Sequence, residues 1–445
     1  MTIDSGWVKT VKSLVPQAFR STCPFKPSVV FIDGQIKLMA PSSIYTWDAY
    51  FERQFLNSIE YQFKTGVNIV VLGFDDYRFV PAAKAPTQRK RNTHVPTVAF
   101  EDKDDLPTRP PDAMGGAMRN RSFKMKVISF IVRRLRNHYE NERHKTVILD
   151  WMDVPEVLGK TCPLPRLFHA ADTTVTEPAE PAEPAEPAEP AEATVHEDPA
   201  LVPAVVLKRG ECDIKAFVWA ELGPLLIIST DGDFVPMSLL QCERAPHVRI
   251  ALYRMQTNMN ATPTKRSASG THRRTYEYVD INTVHAGLCK ELSSSTRPAT
   301  LFAVMTMLTG CDFCANLPSV GPARVWKCRH QLSRIDVNSE HGVLYMMCLL
   351  YLETFHGKIG ISNHVVRAAS DKTSSALYAQ IAASVLRGTV NARSRTSFWS
   401  TSRAITHSRN VQWTLEYWTR LHEYPDPVQQ KYGFVRVKNV VQVAP

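Results

Sequence analysis

The chain has 445 residues, of which 44% are hydrophobic, enough for one large folded domain or two ordinary ones. Its 53 Lys and Arg outnumber its 43 Asp and Glu, which gives a net charge of +10. Residues 177–198 hold eight acidic residues and no Lys or Arg, so the rest of the chain is more basic still. This balance favours a polyanionic partner such as nucleic acid, with solubility as the simpler alternative.

Cysteine usage and hydropathy exclude a secreted protein held by disulfides and a membrane-spanning protein. The nine cysteines form no disulfide-like framework, and the N-terminus lacks the pattern of a signal peptide. The longest nearly apolar run, residues 343–352, is too short to span a bilayer. We therefore expect a soluble protein of a reducing compartment with no membrane partner.

The first part of the chain predicts a parallel α/β layout. A short helix over 6–14 ends before Pro16, and residues 29–32 predict a buried strand that ends on Asp33. An amphipathic helix over 47–64 follows, and then a second strand over 68–74 ends on Asp75. Strands and helices that alternate in this way are typical of a parallel sheet covered by helices.

Residues 81–143 are rich in Pro, Lys and Arg, first in Lys84–Arg91 and later in a basic amphipathic segment, Arg119–Arg136. A solvated helix face and a face turned to nucleic acid both account for such charge. Residues 146–151 predict a strand. The Pro-Ala-Glu repeat over 177–192 predicts an extended spacer without a catalytic role.

After the repeat the pattern returns to strands and helices. Residues 204–207 predict a strand, Glu211 opens a helix to about Ala220, and the apolar run Leu226–Ile228 leads into Asp231 and Asp233. Further strands are predicted over 248–255 and 275–281, helices over 282–292 and 297–309, and a mostly helical region from about 330 to 422 before a Val-rich tail.

Acidic residues recur at the ends of these elements. The set comprises Asp33, Asp75, Glu211, Asp213, Asp231, Asp233 and Asp312. Each alone is explained by a turn or a helix cap. Together they would meet at one edge of a parallel sheet, where carboxylates about 4 Å apart repel by roughly 4 kcal/mol at an effective dielectric of about 20. Oxygen ligands without matching His or Cys favour Mg²⁺ or Mn²⁺, and two such ions can drive phosphodiester hydrolysis.

A zinc site is the competing interpretation. Cys311 and Cys314, with Cys328 and His330 downstream, have a spacing similar to that of zinc ligands. The Cys-x-His ending is unusual for such a site, and Asp312 between the cysteines belongs to the carboxylate set. We therefore favour the hard cation.

The order of these motifs resembles the flap endonuclease and xeroderma pigmentosum group G family of structure-specific 5′ nucleases. The resemblance covers roughly residues 1–330. The matching segments are Gly6–Lys9, Phe31–Asp33, Phe74–Asp76 with the basic residues that follow, Glu211–Asp213, Ser229–Asp233, and Gly310–Phe313 followed by Leu317–Ala323. Two segments also look like the divergent members from large DNA viruses. Asp76 replaces the family's usual Gly, and the segment before Glu211 is longer than in the cellular enzymes.

The resemblance implies the fold and its division along the chain. The fold would be PIN-like, a mostly parallel central α/β sheet flanked by helices, with a helical arch and a helix–two-turn–helix motif. Residues 1–145 would form an N-terminal nuclease region with a basic arch over about 80–145, and 146–203 an insertion with the repeat. Residues 204–330 would form the internal nuclease region, and 331–445 a helical extension.

The resemblance also implies roles for residues. The seven acids would bind two Mg²⁺ ions, with Mn²⁺ as a substitute. Lys84, Arg89 and Arg91 would orient the scissile phosphate. DNA would be bound by Lys90, Ser319, Gly321, Arg324 and Lys327.

The expected activity is that of a flap endonuclease-like 5′–3′ nuclease acting on branched or 5′-ended DNA in replication, recombination or repair. The expected location is the nucleus, or a viral replication compartment for a viral protein. Two alternatives stay open: an mRNA-degrading endonuclease of the host-shutoff type, and a DNA-binding factor without activity. Gln412–Leu415 with Trp418 partly resembles a sliding-clamp-binding box, although a packed helix is the preferred interpretation.

Overall fold

The protein is described by a computed structural model. The described residues are 6–38, 46–75, 100, 105–112, 114–151, 155–165, 212–256, 275–311, 313–338, 340–355, 374–387, 399–419, 434–437 and 440–443. The strand predicted at 204–207 and the Pro-Ala-Glu repeat lie outside them. So do six predicted site residues: Glu211, Asp312, Lys84, Arg89, Lys90 and Arg91.

A mixed, mostly parallel sheet of eight strands organises the described part of the chain. Its strands are β1 (Phe19–Arg20), β2 (Val29–Asp33), β3 (Ile69–Gly73), β4 (Thr146–Asp150), β5 (Glu156–Gly159), β6 (Leu225–Ile228), β7 (Ile250–Gln256) and β8 (Thr275–Asp280). They lie in the order β1-β8-β7-β6-β2-β3-β4-β5. The run from β7 to β4 is parallel, and β8, β1 and β5 add antiparallel strands at the two sides.

Helices cover both faces of this sheet. They are α1 (Trp7–Leu14), α2 (Gly34–Leu38), α3 (Trp47–Phe51), α4 (Asn57–Lys64), α5 (Met114–Ala117), α6 (Arg121–Tyr139), α7 (Cys212–Val218), α8 (Phe234–Arg244), α9 (Ile281–Glu291), α10 (Pro298–Leu308), α11 (Pro322–Lys327), α12 (Arg329–Leu332), α13 (Glu340–Phe355), α14 (Ser374–Arg387) and α15 (Thr401–Thr419).

The alternation of side chains along the central strands builds two cores. Phe31 and Val71 face a core shared with α1 and α7–α10, whereas Val30 and Val70 face a core shared with α3, α4 and α6. Successive side chains of a strand point to opposite faces, so a strand buried on both faces must be apolar throughout. This requirement explains the continuous apolar runs that predicted these strands.

The predicted α/β class and mostly parallel sheet are confirmed. The helix predicted over 47–64 contains a π-helical segment, Glu52–Leu56, between α3 and α4. Two strands of two and four residues, β1 and β5, were not predicted, because neither carries an apolar run. The Val-rich tail forms a separate hairpin, β9 (Phe434–Val437) with β10 (Val440–Val443). Among the described helices, none has the length and apolar character needed to cross a bilayer.

Candidate metal centre and nucleic-acid interface

Parallel strands bring predicted acids to one edge of the sheet. In register, Asp33 at the end of β2 lies beside Gly73 at the end of β3, and Ile32 lies beside Ile228 at the end of β6. Asp75 comes two residues after β3, and Asp231 comes three residues after β6. Open α/β sheets bind ligands at this carboxyl edge.

Asp33 is a deeply buried acid at this edge, with 4% of its surface exposed. Its Oδ1 accepts a hydrogen bond from the Gln35 amide at 2.9 Å, and its Oδ2 accepts one from the Ser229 hydroxyl at 2.8 Å. Burial raises the pKa of Asp33 to about 7, the Ser229 hydrogen bond opposes that rise, and the charges of Asp75 and Asp231 add to it. Negative charge is therefore crowded and poorly solvated here.

Helix α7 begins at the same edge. The Cys212 amide donates to Asp75 Oδ1 at 2.9 Å, and the Cys212 thiol lies 3.9 Å from Asp33 Oδ1. Burial raises the pKa of this thiol well above its ordinary value, and Asp33, Asp75 and Asp213 raise it further. Asp213 therefore belongs to the same group of charges.

The turn after β6 is held by side-chain hydrogen bonds. The Ser229 hydroxyl accepts from the Asp231 amide at 3.1 Å, and Asp231 Oδ1 accepts from the Asp233 amide at 3.0 Å. Asp233 is buried at the start of α8. Ser229 thus joins this turn to Asp33, a role that the sequence pattern did not indicate.

The donor chemistry of this edge suits a hard cation, since carboxylate oxygens dominate it. In the residues that the structure describes, however, no group of three or more His, Cys, Asp or Glu converges closely enough to hold an ion. Two of the seven predicted ligands, Glu211 and Asp312, lie outside those residues. Asp33, Asp75 and Asp231 lie at this edge, Asp213 follows Cys212 at the start of α7, and Asp233 is the cap residue before α8.

A buried ion pair that sequence reasoning missed supports this edge. Lys215 Nζ lies 3.7 Å from Asp150 Oδ1 and donates to the Phe74 carbonyl at 3.1 Å. Trp219 Nε1 donates to Asp150 Oδ2 at 3.0 Å. A signal was present in the sequence, because Asp150 also closes an apolar strand and Lys215 interrupts an apolar helix.

The described residues predicted to bind DNA line a second site. A cavity of about 980 Å³ is bounded by Ser319, Gly321, Arg324 and Lys327 together with residues of α1 and α13. Ser319 adopts a left-handed backbone with φ of 63°, and a Cβ at Gly321 would meet nothing within 4 Å. The Gly321 backbone therefore faces open space, as close approach of a ligand requires.

Two cations of this cavity, Arg324 and Lys327, are already engaged by α13. Arg324 donates to the Thr354 carbonyl at 3.1 Å, and Lys327 lies 2.6 Å from a Glu353 oxygen. The Lys327 side chain is nevertheless 74% exposed. Lys9, Thr10 and Ser13 of α1 also line the cavity, and the sequence did not single them out.

The partial resemblance to a clamp-binding box falls on a packed helix. Trp413 and Trp418 are completely buried in α15, and both rings lie near Phe313. Buried aromatic side chains of this kind stabilise the attachment of α15. This agrees with the preferred interpretation of the segment.

Comparisons with known proteins leave the family of this chain open. No protein-family model matches the sequence, and a search of curated proteins finds no match to it.

Proposed function

We propose that the protein is a divalent-metal-dependent nuclease that hydrolyses phosphodiester bonds of nucleic acid at the carboxyl edge of its sheet. One observation carries this proposal: Asp33, Asp75 and Asp231 lie at that edge beside the start of α7, and burial, with the charges of Asp75 and Asp231, raises the pKa of Asp33 to about 7. A divalent cation would relieve this charge.

The proposed ligands are the seven acids of the carboxylate set, and Mg²⁺ fits their oxygen chemistry, with Mn²⁺ as a substitute. When bound, such ions activate water and stabilise the leaving oxygen of a phosphodiester. Ser229 orients Asp33 through its hydroxyl, and Asp75 orients the start of α7 through the Cys212 amide. These contacts would keep the ligands in position before any ion binds.

Substrate binding is assigned to positive side chains. Lys84, Arg89 and Arg91 are proposed to hold the scissile phosphate, while Lys90 and the cavity beside α11 hold the backbone. Phosphate contacts of this kind position a duplex without reading its sequence. The first candidate substrate is therefore branched or 5′-ended DNA.

A second candidate is an RNA endonuclease of the same fold, because the contacts expected of the cavity's cations are to phosphates, which DNA and RNA share. Arg324 and Lys327 are both engaged by the end of α13, through the Thr354 carbonyl and the Glu353 carboxylate. The Glu353 carboxylate neutralises Lys327 and lowers its attraction for any phosphate backbone, whereas the Thr354 carbonyl leaves the charge of Arg324 in place. The cavity therefore does not by itself distinguish a DNA duplex from RNA.

The experiment offers the purified protein, with Mg²⁺, a 5′-flap DNA, a nicked duplex and a structured RNA. Asp231→Asn and Asp233→Asn should abolish cleavage while binding is largely retained, and Glu140→Gln, an exposed acid at the end of α6, should cleave like the wild type. Cleavage of RNA alone would select the second candidate. Undiminished cleavage by both Asn variants would reject the site, and no cleavage by the wild type would support a non-catalytic binding protein.

A further inference from the structure

Tyrosines form a surface on the strands beside the carboxylate edge, in which Tyr276 is exposed and Tyr253 and Tyr278 are half-buried. Among the described residues, the large hydrophobic side chains that remain strongly exposed are Tyr61, at 61%, and Tyr276, at 49%. The Tyr276 ring stacks on that of Tyr253, with centroids 5.3 Å apart and planes inclined by 8°. Tyr278 lies 4.7 Å from Tyr253. Since Tyr253 covers one face of the Tyr276 ring, a further planar ring can continue the stack on the other.

Backbone contacts join this tyrosine surface (Tyr253, Tyr276 and Tyr278) to the carboxylate edge. Tyr253 lies in register beside Ile228, the last residue of β6, and its carbonyl accepts a hydrogen bond from the Ser229 amide at 3.3 Å. The hydroxyl of that same Ser229 bonds Asp33. Neighbouring strands are about 4.8 Å apart, so β7 and β8 lie about 10 and 14 Å from β2.

Basic residues lie on or beside the strands of the surface, and one of them, Arg20, is paired with Asp280. Arg20 pairs in register with Tyr278 and lies 3.8 Å from Asp280 Oδ2, and the exposed Arg249 covers the Phe25 ring at 4.7 Å. In sequence, the segment 257–274 that joins β7 to β8 has four Lys or Arg and no acidic residue. Such charge is complementary to a phosphate backbone.

We propose that the tyrosine surface stacks unpaired bases of the nucleic-acid strand that enters the carboxylate edge. Aromatic side chains beside a basic groove are a general way to bind single strands without reading their sequence. At the duplex spacing of about 3.4 Å per nucleotide, about three or four nucleotides cover the 10 to 14 Å between the two sites. This inference rests on the proposed nuclease function and adds that the strand beside the cut is unpaired.

The competing role of these rings is structural, because cross-strand aromatic pairs also stabilise a β-ribbon. The ring of Tyr276 and its hydroxyl can be tested separately. Tyr276→Phe keeps the ring and its stack on Tyr253, whereas Tyr276→Leu keeps an apolar side chain without a ring. A purely structural role would lower thermal stability in the Leu variant and leave the binding of folded protein unchanged.

The experiment measures binding of labelled 12-nucleotide oligo(U) and oligo(dT), and of a blunt DNA duplex, to the full chain in EDTA by fluorescence anisotropy. We expect Tyr276→Leu to weaken single-strand binding by about tenfold, the loss of one base stack, with duplex binding unchanged. Tyr276→Phe should stay within about twofold of wild type. Tyr345→Leu, a half-buried tyrosine on α13, is the matched control. The two oligonucleotides show whether RNA or DNA is preferred.

Two outcomes would overturn the proposal: unchanged single-strand binding by folded Tyr276→Leu, or an equal loss for the duplex. A third outcome, in which Tyr276→Leu changes only self-association in sedimentation, would reassign the surface to a protein contact. The nuclease proposal can fail separately. A wild type that binds oligonucleotides through Tyr276 but does not cleave them with Mg²⁺ would support the stacking surface and contradict the nuclease activity.

Discussion

Lys215 and Asp150 form an ion pair inside the protein, with Nζ 3.7 Å from Oδ1 and side-chain exposures of 1% and 0%. Lys215 also binds the carbonyl of Phe74, the residue before Asp75. The pair therefore ties α7 to the ends of β3 and β4, directly beneath the carboxylate edge. Any change to it should alter both stability and the position of Asp75.

Lys215→Met should lower the free energy of unfolding by about 3–5 kcal/mol, because it leaves the Asp150 carboxylate buried without its cation. Chemical denaturation measures this loss. The double variant Lys215→Met with Asp150→Asn should lose less than the sum of the single variants, since no charge then remains uncompensated. Lys327→Met, which removes an exposed partner of Glu353, is the control and should change stability little. A strictly additive double variant would contradict the coupling.

Asp33→Asn should abolish stabilisation of the protein by Mg²⁺. In EDTA the variant should melt at or above the wild-type temperature, because it removes a buried, crowded charge while an amide still bonds Gln35 and Ser229. In Mg²⁺ the wild type should gain stability by linkage to the bound ion, whereas the variant should not. Thermal melts in EDTA and in Mg²⁺ measure both effects. Equal Mg²⁺ stabilisation of both proteins would remove Asp33 from the ligand set.

Thr309→Val should destabilise the attachment of α1. Trp7 Nε1 donates to Thr309 Oγ1 at 2.6 Å, and the Trp7 ring packs against Phe302 and Trp326. The valine variant leaves this indole N–H unsatisfied, which costs about 1–3 kcal/mol in the free energy of unfolding. Thr309→Ser keeps the hydroxyl and should lose much less. Denaturant titration compares the two, and equal losses would show that the hydroxyl contributes no more than the methyl group.

The buried imidazole of His407 should make the protein sensitive to acid. Burial lowers its pKa from 6.5 to about 3, and Arg403 adds to this effect. Between these values the unfolded chain binds a proton that the folded protein cannot, so stability falls as pH decreases below about 6.5, by up to about 1.4 kcal/mol per pH unit. His407→Gln should show a flatter pH dependence in urea titrations from pH 7.5 to 5. The exposed His247→Gln is the control and should follow the wild type.

Glu353→Gln should strengthen nucleic-acid binding several-fold, because it releases Lys327 and removes a negative charge from the cavity. Lys9→Gln should weaken binding and reduce the salt dependence of the logarithm of the binding constant by about one. Anisotropy titrations at several salt concentrations measure both. A Glu353→Gln variant that binds no better than wild type would show that the cavity does not face the phosphate backbone.

The sequence alone determined the elements of the central sheet. Continuous apolar runs predicted β2, β3, β4 and β6 because both faces of these strands are buried, and Asp33 marks the end of β2 as expected. The short strands β1 and β5 were missed. Two to four residues without an apolar run acquire strand structure only through their neighbours, β8 and β4.

The same distinction applies to the acids: the sequence predicted their positions, but not the contacts that surround them. The local sequence pattern was sufficient to predict carboxylates at the ends of strands. The direction of each strand then fixes the edge of the sheet at which its carboxylate lies. The local pattern could not show that Ser229 bonds Asp33, that Lys215 pairs with Asp150, or that Tyr276 stacks on Tyr253 beside that edge. Ser229 is 196 residues from Asp33 along the chain. Such contacts depend on the order of strands in the sheet, which only the packed tertiary structure decides.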